Sequence, residues 1–282
     1  MAPSEALAID RLGVGDVDAG LRLSDAAGWN QTAEDWAFFI ARGTAFGIRD
    51  GDAANALIAT AAALPYGASV GWISMVLVDG RHRHRGHATR LVAACVDALR
   101  SAGRAAALDA TPDGAAVYRR AGFAAGFAFE RWQREAQGAD ALPGASVLDE
   151  RRRDALLALD RVTSALDRSA LFASFLDRPT TSAWLTGDAS GFAILRAGRR
   201  ARQLGPIVAA DEEAAIALLD RALDAATGPV FIDVPSRWPA FAAALGERGF
   251  ACQRRFVRMA LGETGVLAAN ARVFAVAGPE FG

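Results

Sequence analysis

A chain of 282 residues with 52% hydrophobic content is long enough for one large or two ordinary domains and rich enough to bury their cores. The net charge of −1 gives no global field favouring nucleic acid or an anionic membrane. All 31 basic residues are arginine, which excludes a Walker A loop and any Schiff-base or pyridoxal chemistry, and two cysteines, Cys95 and Cys252, give neither a disulfide framework nor zinc spacing.

The opening MAPSEALAID has no basic segment and no long apolar run, so it does not read as a secretory signal. Charges interrupt the apolar stretches well short of a membrane span, and the expectation is a soluble, cytoplasmic chain. Residues 7–12 read as a strand. Asp16 can cap a helix to about Ala27, with Val17, Leu21 and Ser24 on one side. Thr32 precedes a second helix, in which Trp36, Phe39 and Ile40 share a face. Strands are predicted at 44–48, 56–63 and 69–78. The following helix, 88–100, carries Ala88, Leu91, Val92, Cys95, Val96 and Leu99 on one stripe, and Gly103 ends it. Strand 105–110, helix 114–121 and strand 123–132 complete the first half. Residues 137–145, QGADALPGA, have linker composition.

The second half repeats the plan. Helices are predicted at about 149–162 and 168–176, then strands near 182–185, 192–196 and 202–208. A helix at about 212–225 turns Ile216, Leu219 and Leu223 inward. Strand 230–234, helix 239–248 and a strand from Phe250 to Met259 follow, with a last strand at 273–276. Val78 to Phe123 and Val208 to Phe250 enclose the same order of elements, which suggests an internal duplication.

The most informative stretch is MVLVDGRHRHRGHATRLV, from Met75 to Val92. An apolar run meets a short cationic turn that opens directly onto a helix. A helix start leaves its first N–H groups unpaired at the positive end of the macrodipole, and a glycine in the turn lets a phosphate approach them. The string Arg83, His84, Arg85, Gly86, His87, Ala88 therefore reads as a diphosphate cradle. It resembles motif A of the GCN5-related N-acetyltransferase (GNAT) superfamily, which binds the pyrophosphate of acetyl-CoA at this point. Downstream, LDATP from Leu108 and GAAVYRRAGF from Gly114 resemble motif B, with Tyr118, Gly122 and Phe123 at its marked positions.

The resemblance implies an α/β fold of two GNAT-like domains, residues 1–136 and 146–282, each a mixed, mostly antiparallel central sheet flanked by helices. It implies acetyl-CoA as co-substrate, held by the backbone of Val76 and Val78 and by Arg83, His84, Arg85, Gly86, His87, Ala88 and Thr89. Thr111 stands where many relatives carry a CoA-contacting asparagine. Tyr118 is the implied partner of the departing thiolate, since a phenol is protonated at neutral pH; the alternative is a packing role in a short helix. Many relatives place a glutamate on the strand before motif A, whereas VGWISMVLV contains no acid. Ser74 could relay a water there, and Glu34, Asp35 or Asp109 could act through solvent. Asp109 reads equally well as a turn-forming aspartate.

The connection Gly28-Trp29-Asn30-Gln31 overhangs the acceptor site in the superfamily, so Trp29 and Asn30 are either a substrate wall or a core tryptophan with a capping asparagine. His82, His84 and His87 cluster, but the surrounding arginines oppose a dication, so no metal is expected and these histidines face the CoA phosphates or solvent. The triplet Arg151–Arg153 reads as a solvated helix start. The scattered arginines form no basic stripe for nucleic acid.

The second half resembles the degenerate half of tandem GNAT proteins. After Val208 its turn reads AADEEAA, acidic and without glycine, which would repel a pyrophosphate, and Leu245 replaces the tyrosine. The functional expectation is an acetyl-CoA-dependent N-acetyltransferase acting on a primary amine of a small-molecule acceptor. The alternative is a non-catalytic acyl-CoA-binding or structural module, suggested by the missing base and the altered second copy. Acceptor pockets are built from scattered loop side chains, so specificity follows the site rather than the fold.

Overall fold

The computed structural model describes residues 7–51, 55–136, 148–262, 265–268 and 270–282. The predicted linker, 137–145, lies outside the described residues, as do the first six residues of the opening segment. The chain folds as two compact units, Met1–Ala106 and Ala107–Gly282.

In the first unit, strands β1 (Asp10–Arg11), β2 (Thr44–Arg49), β3 (Leu57–Tyr66) and β4 (Val70–Val78) form an antiparallel sheet in that order. Helices α1 (Val17–Ala26) and α2 (Ala33–Arg42) pack on it, as does α3 (His87–Ser101). Nine of the ten residues of β3 are buried, so the sheet is covered on both faces and its strands read as apolar runs rather than alternating ones. Contact with α3 is close: a Cβ at Gly71 would meet Leu99 at 2.0 Å. The predicted opening strand shrinks to two residues, paired with Phe46 and Gly47.

Helix α1 buries Gly20, Leu23 and Ser24, while Val17 and Leu21 are only half-buried. Trp36 decides this. Its ring lies where a Gly20 side chain would stand, and its Nε1 donates to Ser24 Oγ at 2.8 Å. Helix α2 starts as expected at Thr32, in a capping box with Asp35. Trp36 and Phe39 are fully buried, with Ile40 at the rim.

The second unit is built on strands β5 (Ala105–Ala110), β6 (Ala124–Arg134), β7 (Ser182–Leu185), β8 (Phe192–Arg196), β9 (Arg202–Val208), β10 (Val230–Pro235), β11 (Ala251–Leu261) and β12 (Val273–Ala275). The order is β5-β11-β6-β10-β9-β8-β7, with β12 on β9. Helices α4 (Pro112–Arg120), α5 (Glu150–Ser164), α6 (Ser169–Leu176), α7 (Glu212–Asp224) and α8 (Pro239–Glu247) complete it. Strands predicted at 182–185, 192–196 and 202–208 occupy those bounds. Helix α7 turns Ala215, Leu218, Leu219 and Ala222 into the core, with Ile216 and Leu223 packed at its margin. Of the arginine triplet, Arg151 and Arg152 are exposed, as a solvated helix start implies; Arg152 also donates to the Leu185 carbonyl, and the half-buried Arg153 pairs with Asp177.

The strand order carries an exchange between the two sequence repeats. By the duplication, β6 corresponds to β11 and β5 to β10. Yet β6 pairs antiparallel with β10, and β11 lies beside β5. Each repeat's last strand thus flanks the other repeat's strand. The two exchanged strands pair with each other, with Phe129 opposite Phe256 and their rings stacked at 5.1 Å. Two buried bidentate ion pairs tie the exchange. Arg131 of β6 donates to Asp233 of β10 at 2.9 and 2.8 Å, and Arg258 of β11 donates to Asp109 of β5 at 2.9 and 2.9 Å.

The end of the chain is anchored in the same unit. Arg196 donates to Glu280 at 2.9 Å and to the Ala277 carbonyl, Phe281 packs edge-on against Phe175, and Arg168 binds both Asp160 and the Gly282 carbonyl.

Candidate functional site

In the first unit the cationic turn follows β4 directly. Asp79 closes its near end, accepting from the Arg81 backbone N–H and from Arg81 Nε, with His82 Nδ1 at 3.1 Å. These contacts, the Arg81 N–H first, hold the Asp79 carboxyl below its ordinary pKa. Arg83 donates to the Val78 carbonyl and Arg85 to the Arg81 carbonyl, which folds the turn back on itself. Arg81, Arg83, His84, Arg85 and Gly86 remain exposed.

Gly86 is the N-cap of α3 and sits at φ 79°, in the left-handed region that suits glycine. No side chain caps this helix, and a Cβ on Gly86 would meet nothing within 4 Å. The start of this 15-residue helix thus has no side-chain cap and follows a run of exposed arginines. These features fit the diphosphate of acetyl-CoA. Among the described residues no group of three His, Cys, Asp or Glu could hold a metal ion.

Of the residues expected at the donor, Val76, Val78 and Ala88 are half-buried and Thr89 is exposed. His87 departs from the expectation of a histidine facing phosphate or solvent: it is 7% exposed, and neither ring nitrogen has a hydrogen-bond partner. Burial, with the charges of Arg90, His82 and Arg85, lowers its pKa, so the neutral imidazole is favoured. As first residue of α3 it joins the apolar stripe of Leu91, Val92, Cys95 and Leu99.

Strand β4 carries a feature that sequence reading missed. The β3–β4 register shifts between Thr60–Leu77 and Ala62–Ser74, leaving Met75 and Val76 opposite Ala61 alone. This is a β-bulge; Met75 has φ 54°, and Thr60 Oγ1 donates to its carbonyl at 2.8 Å inside the core. The bulge interrupts the ladder at the strand positions expected to face the donor. Its only sequence signal is a hydroxyl, Thr60, within an alanine run.

Near the bulge in sequence, Ser74 is buried and its Oγ has no partner. In the connection between α1 and α2, Trp29 is half-buried and Asn30 buried. The buried Gln31 Oε1, not singled out from sequence, also lacks a partner. Asp35 is committed to its capping box.

In the second unit, Thr111 caps α4 by accepting from Gly114 N–H at 3.3 Å. Tyr118 is half-buried on α4, its ring 5.9 Å from that of Phe123. Asp109 is neither a solvent relay nor a turn former. Both carboxylate oxygens are bound by Arg258, and its side chain is fully buried. Burial pushes its carboxyl up from the ordinary range, against the pull of Arg258.

The corresponding turn of the second repeat is built differently. Asp211 caps α7 with its own carboxylate, accepting from Ala214 N–H at 2.9 Å. Strands β9 and β10 pair in parallel only over Arg202–Leu204 and Val230–Ile232. Beyond that, β12 pairs along β9, with Val273 opposite Val208, and Val276 N–H donates to the Asp233 carbonyl. Gly205 allows this approach, because a Cβ there would lie 2.2 Å from the Val276 carbonyl oxygen. Phe274 is fully buried, stacked on Trp238 at 4.2 Å. The chain's own C-terminal segment therefore lies along β9 at Val208, the repeat counterpart of Val78.

Two family models match the chain. One, described as the Acetyltransferase (GNAT) family, matches residues 21–123, and another, described as an Acetyltransferase (GNAT) domain, matches residues 156–275. A comparison with curated proteins gives no match. Among solved structures, the chain is similar to a proposed acetyltransferase from Pyrococcus horikoshii, with a TM-score of 0.79 at 15% identity over 100% of this chain and 98% of that one. It is also similar to a tandem GNAT protein from the clavulanic acid biosynthesis pathway, with a TM-score of 0.64 at 17% identity over 92% of this chain and 100% of that one. A GCN5-related N-acetyltransferase from Sphaerobacter thermophilus gives a TM-score of 0.61 at 14% identity over 92% and 96%. With a GNAT match on each half and a tandem GNAT protein among its structural neighbours, this chain belongs to the GNAT family as a tandem protein, within a group whose chemistry is acyl-CoA-dependent acetyl transfer.

Proposed function

We propose that the chain is an acetyl-CoA-dependent N-acetyltransferase that acetylates a primary amine of a small-molecule acceptor, using one donor site in its first half. The observation that carries this reading is the uncapped N-terminus of α3 behind left-handed Gly86, set among exposed arginines, against the carboxylate-capped N-terminus of α7. Acetyl-CoA supplies the activated acyl group. Arg83, His84, Arg85, Gly86, Ala88 and Thr89 hold its diphosphate, and the bulged backbone of Val76 and Val78 aligns its arm. His87 anchors the start of α3 on the helix's buried face, and Thr111 sets the start of α4. Tyr118 holds the proton that the departing sulfur takes. Trp29, Asn30 and Ser74 border the acceptor amine, with Gln31 beside them in sequence.

The functional domains are residues 1–136 and 146–282, in keeping with the two matched segments. They differ from the compact packing units because their last strands are exchanged. The second domain is degenerate as a donor site: its turn is acidic and capped, and β12 occupies β9. Among the described residues no helix is long and apolar enough to cross a membrane, and the reading takes the protein as cytoplasmic.

Calorimetry with acetyl-CoA, followed by free-thiol release across a panel of amines, tests the proposal. One donor site per chain and amine-dependent thiol release support it. A second reading, an acyl-CoA binder without turnover, is favoured by the absence of a carboxylate on β4. It predicts binding with no thiol release for any amine.

A further inference from the structure

We propose that Arg258, on the last strand of the second repeat, is a positioning residue for Tyr118 of the first; the inference rests on the role given to Tyr118 above. Arg258 is 6% exposed, and its guanidinium lies over the Phe127 ring at 4.7 Å. Both of its hydrogen bonds to Asp109 are 2.9 Å, a fork that fixes direction as well as distance. Asp109 is the next-to-last residue of β5. Two residues on, Thr111 caps α4, and α4 carries Tyr118. The same helix packs on β11, and a Cβ on Gly122 after it would touch Leu261 of β11 at 3.3 Å. The end of β5 before the cap and the flank of the helix after it are therefore both held by a strand donated from the other half of the chain, with the Thr111 cap between them.

The chemistry of the pair favours positioning over stabilisation. Burying a guanidinium and a carboxylate costs desolvation that their attraction only about offsets, so an apolar pair of similar size would hold the strands equally well. The molecule supplies its own control. Arg131 and Asp233 form the same fork at the repeat-related place, reinforced by Gln203 at 2.9 Å. The helix that follows Asp233 is α8, which bears Leu245 in place of the tyrosine. If the ion pair were only a strand tie, both copies would matter alike.

The experiment compares two full-length double variants, Arg258→Met with Asp109→Leu and Arg131→Met with Asp233→Leu. Thermal stability, single-turnover acetyl transfer and the acetyl-CoA KM are measured for each. The first should lower the transfer rate by about tenfold or more with KM little changed, as misplacing a reacting group does. The second should leave the rate within about twofold at a similar change in melting temperature. Arg258→Lys should not restore the rate, because an ammonium cannot reproduce the fork.

A readout independent of turnover uses the fact that the chain has only two tyrosines. In tyrosine-labelled protein, assigned with Tyr118→Phe, the Tyr118 ring resonance should move in the first double variant and stay in the second, with Tyr66 constant in both. Equal rate losses in the two variants, or an unmoved Tyr118 resonance in the first, overturn the inference. Wild-type protein without turnover, or with turnover indifferent to Tyr118→Phe, overturns the functional reading instead, and the resonance still decides the positioning.

Discussion

The two strand-to-helix turns of this chain, after Val78 and after Val208, begin from the same repeat and end in opposite electrostatics. After Val78 the helix start is left open: a left-handed glycine, no cap and exposed arginines. After Val208 the start is closed by Asp211, with Glu212 and Glu213 behind it, and the edge of β9 is taken by β12. A helix N-terminus has orphan donors that something must satisfy. Where the chain supplies a carboxylate, the helix start is capped from within; where it supplies a glycine, no side chain caps it. The fold is common to both turns, and on the proposed reading the few residues at the helix start decide which of them takes an anion.

The largest way to break this comparison is to remove one side of it. Residues 1–136 alone lack β10 and β11, so β6 loses both its neighbours and Arg131 and Asp109 are left without their buried partners. A strand with no neighbour on either edge leaves its ladder N–H and C=O groups unpaired and the buried Phe129 exposed to water. The fragment should be insoluble or unfolded by circular dichroism and inactive; a stable, active fragment would show that the second half is dispensable. The next test acts on the turns. Gly86→Glu puts a Cβ at φ 79° and a carboxylate in the open space, and should abolish acetyl-CoA binding. Asp211→Ala should cost about 1 kcal/mol in denaturant midpoint experiments and create no second site. Unchanged affinity in the first variant, or two equivalent sites by calorimetry, would overturn the contrast.

Tyr118→Phe should lower turnover by about 10²-fold, the range for losing a positioned proton donor, with acetyl-CoA affinity nearly constant. Single-turnover kinetics separate this from slow product release, and an unchanged chemical rate would make Tyr118 a packing residue. The smallest expected effect sharpens the comparison through pH. All three histidines lie in the first turn. His87 has a lowered pKa, so the unfolded chain binds that proton first. Its contribution to stability is complete above the ordinary histidine pKa of 6.5 and is lost as pH falls from there toward the lower folded value. His87→Leu should flatten the pH dependence of the melting temperature between about pH 7.5 and 5.5. A curve parallel to wild type would place the titration elsewhere.

The sequence by itself determined whatever depends on neighbours along the chain. Strands at 105–110, 182–185, 192–196 and 202–208 were legible from apolar runs between turn residues. The helix starts at Thr32 and in the glycine turn were legible from cap chemistry, and the contrast between the two turns from charge alone. The tertiary structure decided the rest. An apolar run announces a strand but does not name its neighbour, and Phe129-x-Arg131 and Phe256-x-Arg258 offer β5 and β10 the same surface. Only packing assigns each to the other repeat, through ion pairs 149 and 102 residues apart. The bulge at Met75, the inward turn of His87 and the C-terminal segment along β9 are likewise set by what lies across the sheet. Local spacing fixes which way a side chain leaves the backbone; what meets it there is fixed only when distant segments pack.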